Sequence, residues 1–193
     1  MFTNDELKAL IRKEMIGDIY PYLEKNDEAV QNFIKQLIAE LNRNNILCKL
    51  ESEHFGSGYA SYRQLLCYEK GNLEVTKHQN TYVEHIKGLH VLVSTLAPVA
   101  IIGVGQQSTE YTNDTNKFVS AGGSMLDVLS QLDIPESLKA LQDNLERLLM
   151  TYNLTILRKE YVEQPLPFKA SIPTLSRFDG DYLVWDAIFY WLD

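Results

Sequence analysis

Cysteine is scarce in this chain. There are two among 193 residues, Cys48 and Cys67, and they do not form a Cys-x-x-Cys pair. Neither zinc binding nor dithiol redox chemistry is signalled by that spacing. Both lie in apolar runs, where a buried free thiol is expected, as in a reducing compartment. Basic residues are also few, 18 Lys and Arg against 26 Asp and Glu, for a formal net charge of −8 and a pI near 5.0. A nucleic-acid partner would need a local basic stripe, and the densest basic cluster is Arg12-Lys13. The negative field favours a basic protein partner and speeds encounter with it, although it also serves plain solubility. Long hydrophobic runs are missing too. The most apolar stretch, residues 89–104, is interrupted by His90, Ser94, Thr95, Pro98 and Gly103, and a membrane span needs about 20 apolar residues. The start, Met1-Phe2-Thr3-Asn4-Asp5-Glu6, lacks the basic and apolar regions of a signal peptide. A soluble, cytoplasmic protein without membrane or nucleic-acid partners is expected.

What is present suits one globular domain. A chain of 193 residues with a hydrophobic fraction of 45% and a charged fraction of 23% can bury a full core without staples. The expected class is α+β: a mostly antiparallel sheet with two or three packed helices, within a single domain over 1–193. Helices are expected over about 3–44. Thr3 or Asn4 can cap the first, which carries Leu7, Leu10 and Ile11. The second begins near Asn26-Asp27 and places Val30, Phe33, Ile34, Leu37, Ile38 and Leu41 at three and four spacing, an amphipathic stripe.

A β-rich middle is expected over about 46–105. Ile46, Cys48 and Leu50 alternate with more polar neighbours, and residues 62–69, 89–96 and 99–104 are rich in β-formers. Gly71-Asn72 between apolar runs predicts a hairpin, since Gly tolerates the positive φ of that turn. Pro98 predicts a turn. Residues 106–123 read as a polar loop. A helix is predicted over about 134–152, with Asp133 and Glu136 as a capping box, Pro135 in the first turn, and a stripe of Leu138, Leu141, Leu145, Leu148 and Tyr152. The C-terminal run, about 181–192, is apolar on both faces of a period-two pattern, which predicts a strand central in the sheet; periodicity alone leaves a buried helix open.

Signatures of catalysis are weak. Gly103-Val104-Gly105-Gln106-Gln107-Ser108 follows an apolar strand as a dinucleotide fingerprint would, but Ser108 stands where the third glycine belongs, and a polar stretch follows instead of a helix. A strand leaving the core is the plainer reading. The histidines at 54, 78, 85 and 90 form no HExxH motif, so no metal is expected, and each reads as a surface or hydrogen-bonded histidine. No GxSxG or SxxK motif is present. Cys67 reads as core, because a catalytic thiolate needs an electropositive, partly exposed place. The pairs Glu51 with Glu53 and Asp179 with Asp181 have same-face spacing but are common in so acidic a chain. Asp186, alone in an apolar run, needs a hydrogen-bond partner, a backbone amide or an arginine. No enzyme and no cofactor is expected from these patterns. The segment 54–63 instead joins Gly and Ser to Tyr and Arg, the residues that anchor protein partners; its tyrosines could equally pack on their own domain.

A resemblance adds to this. Leu148-Leu149-Met150-Thr151-Tyr152-Asn153-Leu154 runs into Ile156-Leu157. Tyr161-Val162-Glu163-Gln164-Pro165-Leu166-Pro167-Phe168 follows, then Ile172-Pro173-Thr174. The tail is Tyr182-Leu183-Val184-Trp185-Asp186-Ala187-Ile188-Phe189-Tyr190-Trp191-Leu192-Asp193. This last quarter of the chain resembles bacterial immunity proteins that accompany secreted polymorphic toxins, type VI and contact-dependent systems included. The resemblance implies a small, catalytically inert protein that occludes a cognate toxin domain. It carries no residue-level site. The expected contacts, chosen for exposed Tyr, Arg and acidic side chains, are Tyr59, Tyr62, Arg63, Asp179 and Asp181. A small-ligand or scaffold protein, and an enzyme of unfamiliar type, are the alternatives; a pocket that converges His, Asp or Glu with shifted pKa values would point to the enzyme.

Overall fold

A computed structural model describes residues 1–51, 59–172 and 181–192. The expected α+β class is observed, with an open, mostly antiparallel sheet and helices packed on it. Helix α1 (Asn4–Ile11) starts as the sequence predicts. The Thr3 hydroxyl accepts the Glu6 N–H, and the Glu6 carboxylate accepts the Thr3 N–H at 2.7 Å. These bonds satisfy donors that the first helical turn leaves unpaired. Helix α2 (Asp27–Arg43) starts at Asn26, whose side chain accepts the Glu28 N–H, and it buries the predicted stripe apart from Ile38, which is half-buried.

Among the described residues seven strands form the main sheet. Its order is β1 (Leu47–Leu50), β3 (Tyr62–Tyr68), β5 (Thr81–Ser94), β6 (Val99–Thr112) and β7 (Phe118–Gly123). Strand β4 (Leu73–Lys77) also pairs β5, and β8 (Thr155–Ile156) lies parallel to the start of β6. Two-residue strands β2 (Tyr59–Ala60) and β9 (Trp191–Leu192) form a separate ribbon.

The half of the sheet nearest the Pro98 turn is a filled sandwich. Leu65, Cys67, Leu89, Val91, Val93, Ala100 and Ile102 meet α2 and α3 (Lys139–Thr151) on one face. On the other face Tyr62, Leu92 and Ile101 meet α1 and the short helix α5 (Val184–Ile188). With both faces covered, these strands read as continuous apolar runs.

Four expectations need correction. Residues 106–123 are not a loop: β6 continues to Thr112, and β7 returns alongside it. Here β7 is exposed throughout and β6 is mostly half-buried on both faces, so no apolar alternation betrays them. Gly71-Asn72 makes no hairpin. β3 and β4 both pair with β5, in the same sense, and a short 3-10 turn over Lys70–Asn72 joins them. Among the described glycines only Gly17 has a positive φ. Asp133 does not cap a helix; α3 is entered through a 3-10 turn at Glu136–Leu138, and Asp133 instead accepts Lys159 at 2.6 Å.

The C-terminal run is not a central strand but helix α5 followed by β9 at the edge ribbon. From 182 to 190 every residue except Leu183 is buried, so no exposed polar position marks either period. Asp186 has the backbone-amide partner expected of it: its carboxylate accepts the Leu183 N–H at 2.7 Å and so starts α5. Helix α4 (Lys159–Val162) completes the set. No helix among the described residues is long and apolar enough to cross a membrane.

Candidate functional site

Strands β5 and β6 are 14 residues each, longer than the helices cover. Their outer parts, 81–87 and 106–112, project from the sandwich with β4 and β7 at their sides. All of β7 is exposed, and so is β4 after Leu73. This projecting end carries large apolar side chains in solvent, with Val75 51%, Phe118 60% and Val119 46% exposed; Leu50 of β1 is 43% exposed. On the face toward α1 and α5 the sheet encloses a hollow of about 760 Å³, lined by Lys49 and Glu51 near one side, Thr109 and Tyr111 of β6, and Phe118 and Ser124. Tyr111 stacks on Tyr82 of β5 at 5.3 Å between ring centroids.

A polar cluster reaches the hollow through Glu51 and Ser124, with Gln64 and His90 buried behind them. The Glu51 carboxylate accepts the Gln64 side-chain amide, whose oxygen accepts the Leu126 N–H at 3.1 Å. Glu51 Oε1 lies 3.9 Å from His90 Nδ1, and His90 Nε2 is 3.1 Å from the Ser124 hydroxyl, which also accepts the Gln106 N–H. His90 is fully buried, and among the described residues its Nδ1 has no hydrogen-bond partner. A Cβ on Gly105 would sit 2.5 Å from the His90 ring, and one on Gly103 would sit 2.4 Å from Leu126. The two glycines of the Gly-x-Gly stretch therefore make room for a histidine and a leucine. β6 runs straight on through them, with no helix N-terminus to hold a phosphate.

Burial favours the uncharged form of both titratable groups. It pushes Glu51 up to about 7, against the pull of the Gln64 amide, and pushes His90 down to about 4. Folded, the pair holds one proton across that whole range. Unfolded, it also holds one between the ordinary values of 4.5 and 6.5. With proton counts equal, the pair leaves stability flat over that window. Single variants break the balance. His90→Asn leaves the raised Glu51, whose contribution is full below pH 4.5 and is lost as pH rises to about 7. Glu51→Gln leaves the depressed His90, whose contribution is full above pH 6.5 and is lost as pH falls to about 4. Denaturation midpoints measured across this range should slope in opposite directions for the two variants. Parallel profiles would refute this account of the pair.

The residues singled out from the sequence are dispersed. Tyr59 sits under the Lys13 ammonium, 4.3 Å from the ring centroid. With Arg63 it lines a separate cleft of about 230 Å³ against Asp27 and Gln31 of α2. Tyr62 does not belong on a contact surface: it is 4% exposed and packs edge-on against Phe189. Neighbours in a strand point to opposite faces, so Tyr62 and Arg63 could not both face a partner. Asp181 is exposed. Asp179, Glu53 and His54 lie outside the described residues. The cluster of Glu51, Gln64, His90 and Ser124 was not read from the sequence, although Gln64 and His90 each interrupt an apolar run. Among the described residues no three His, Cys, Asp or Glu side chains gather in a way that could hold a metal ion. In comparisons with known proteins the chain matches no family model, no curated protein and no solved structure.

Proposed function

We propose that this protein is an immunity-type inhibitor that binds a cognate secreted bacterial toxin domain in the bacterial cytoplasm and occludes its active site or an adjacent surface. The observation that carries the reading is the projecting sheet end, where Val75, Phe118 and Val119 stand in solvent, together with Leu50, exposed on edge strand β1 at the far side of the open hollow. Exposed apolar side chains gathered in one region mark interaction surfaces, and a toxin contact needs about 800 Å² per partner with a few anchors. The C-terminal resemblance and the net charge of −8, suited to a basic partner, agree with it. Tyr59 and Arg63, which share the cleft beside α2, and the exposed Asp181 are further proposed contacts.

Co-expression with the product of the adjacent gene should yield a one-to-one complex and protect cells from that product. Phe118→Asp and Leu50→Asp should each weaken binding by about 30-fold, the effect of losing an anchor of about 2 kcal/mol, with the melting temperature unchanged. A complex indifferent to both, or none at all, removes the reading.

The buried Glu51–His90–Ser124 cluster favours a second reading, a small-ligand protein or an enzyme of unfamiliar type. Its shifted pKa values beside a hollow are what such sites have in common. Turnover by the purified protein, abolished in Ser124→Ala, would replace the inhibitor reading.

A further inference from the structure

The two cysteines, unrelated in spacing, face each other across the ladder of β1 and β3. Cys48 pairs directly with Cys67, and their sulfurs are 2.7 Å apart. The Glu51 N–H donates to the Gln64 carbonyl at 3.0 Å. Because bonded and non-bonded pairs alternate along an antiparallel ladder, Cys48–Cys67 falls on a non-bonded pair, where side chains come closest. The Cys48 N–H confirms this by turning outward to the Asn42 side chain at 3.2 Å. Cα atoms at such pairs are about 4.5 Å apart, within the span a disulfide bridges.

We propose that Cys48 and Cys67 are a reversible disulfide site, closed by a low-molecular-weight disulfide such as oxidised glutathione. Cys48, half-buried on the edge strand, is the entry point. Its thiolate attacks one glutathione sulfur; the glutathione S–S bond breaks, and the first glutathione leaves as a thiolate that takes up a proton. Cys67 then loses its proton and attacks the Cys48 sulfur, and the second glutathione leaves and is protonated. Two protein thiols are oxidised to one disulfide while one glutathione disulfide is reduced to two thiols. Burial and the neighbouring Cys48 hold the Cys67 thiol well above its ordinary pKa, which sets the order, since the thiolate is the attacking species. The bridge would tie edge strand β1, which precedes Glu51 and carries Lys49 of the hollow, to the sheet.

The test uses the full-length reduced protein, incubated under native conditions with oxidised glutathione. The intact mass should fall by two hydrogen atoms, neither cysteine should label with maleimide after the oxidised protein is denatured, although both label in the denatured reduced protein, and a non-reducing peptide map should link Cys48 to Cys67. The melting temperature should rise by roughly 5–10 °C, from the loop-closure entropy removed from the unfolded chain, and dithiothreitol should reverse it. Cys67→Ser should stop at a glutathione adduct on Cys48, and Cys48→Ser should show no gain. The proposal is overturned if, after excess oxidised glutathione, both wild-type thiols still label with maleimide on denaturation, if Cys48 stays glutathionylated, or if the bridge forms between two chains. The wild-type mass reading stands even if either serine variant folds poorly.

Discussion

Gly88→Ala is expected to lower the melting temperature by about 6–12 °C. A Cβ at this position would lie 2.3 Å from the Cys67 carbonyl oxygen and 3.0 Å from the Tyr68 Cβ. The obstacle is backbone on a neighbouring strand, not the end of a side chain that could swing away. Gly88 lies where β5 passes from pairing with β3 (Leu89 opposite Cys67) to pairing with β4 (Ile86 opposite Leu73). Only a residue without a Cβ lets β3 come so close before its chain turns away. Overpacking a rigid site costs about 3 kcal/mol, and in a protein of this size each kcal/mol moves the midpoint by about 2–4 °C. Gly71→Ala is the matched control, since nothing lies within 4 Å of its Cβ position, and it should leave the midpoint in place. Equal effects for the two would show that β3 can move away from β5.

Tyr190→Ala is expected to cost about 3–5 kcal/mol, the usual range for truncating a large buried aromatic side chain, read as a lower denaturant midpoint at unchanged slope. Tyr190 is 1% exposed and holds three parts of the chain together. Its hydroxyl donates to the Leu10 carbonyl at the end of α1, at 2.9 Å. Its backbone N–H donates to the Ser61 hydroxyl and its carbonyl accepts the Ser61 N–H, each at 2.9 Å, just before β3. Burial raises the phenol pKa, which keeps the donor proton in place. Tyr190→Phe separates the two contributions. It keeps the ring and leaves the Leu10 carbonyl without its donor, so its cost should be about 1–2 kcal/mol. If Phe costs as much as Ala, the hydrogen bond and not the packing holds the C-terminal segment.

Helices α1 and α2 could be read because their signals are local: a capping Thr3 or Asn26, then an apolar stripe at the helical period. The turn at Pro98 followed from a missing backbone donor. Strand β7 was missed because Phe118, Val119, Ser120, Ala121, Gly122 and Gly123 face solvent throughout, and a strand with no buried face has no alternation to detect. The C-terminal run failed for the opposite reason, since nearly every position is buried. In the hollow, Glu51, His90 and Ser124 lie 34 to 39 residues from their neighbours in the chain, and no local spacing foretells that meeting.

Composition and periodicity determined what each segment could bury, and with that the α+β class, the long helices and the acidic surface. Which strands became neighbours was left to the tertiary structure, because pairing depends on contacts across the whole sheet. That pairing brought Cys48 to Cys67, set His90 over Gly105 and left the end of the sheet uncovered.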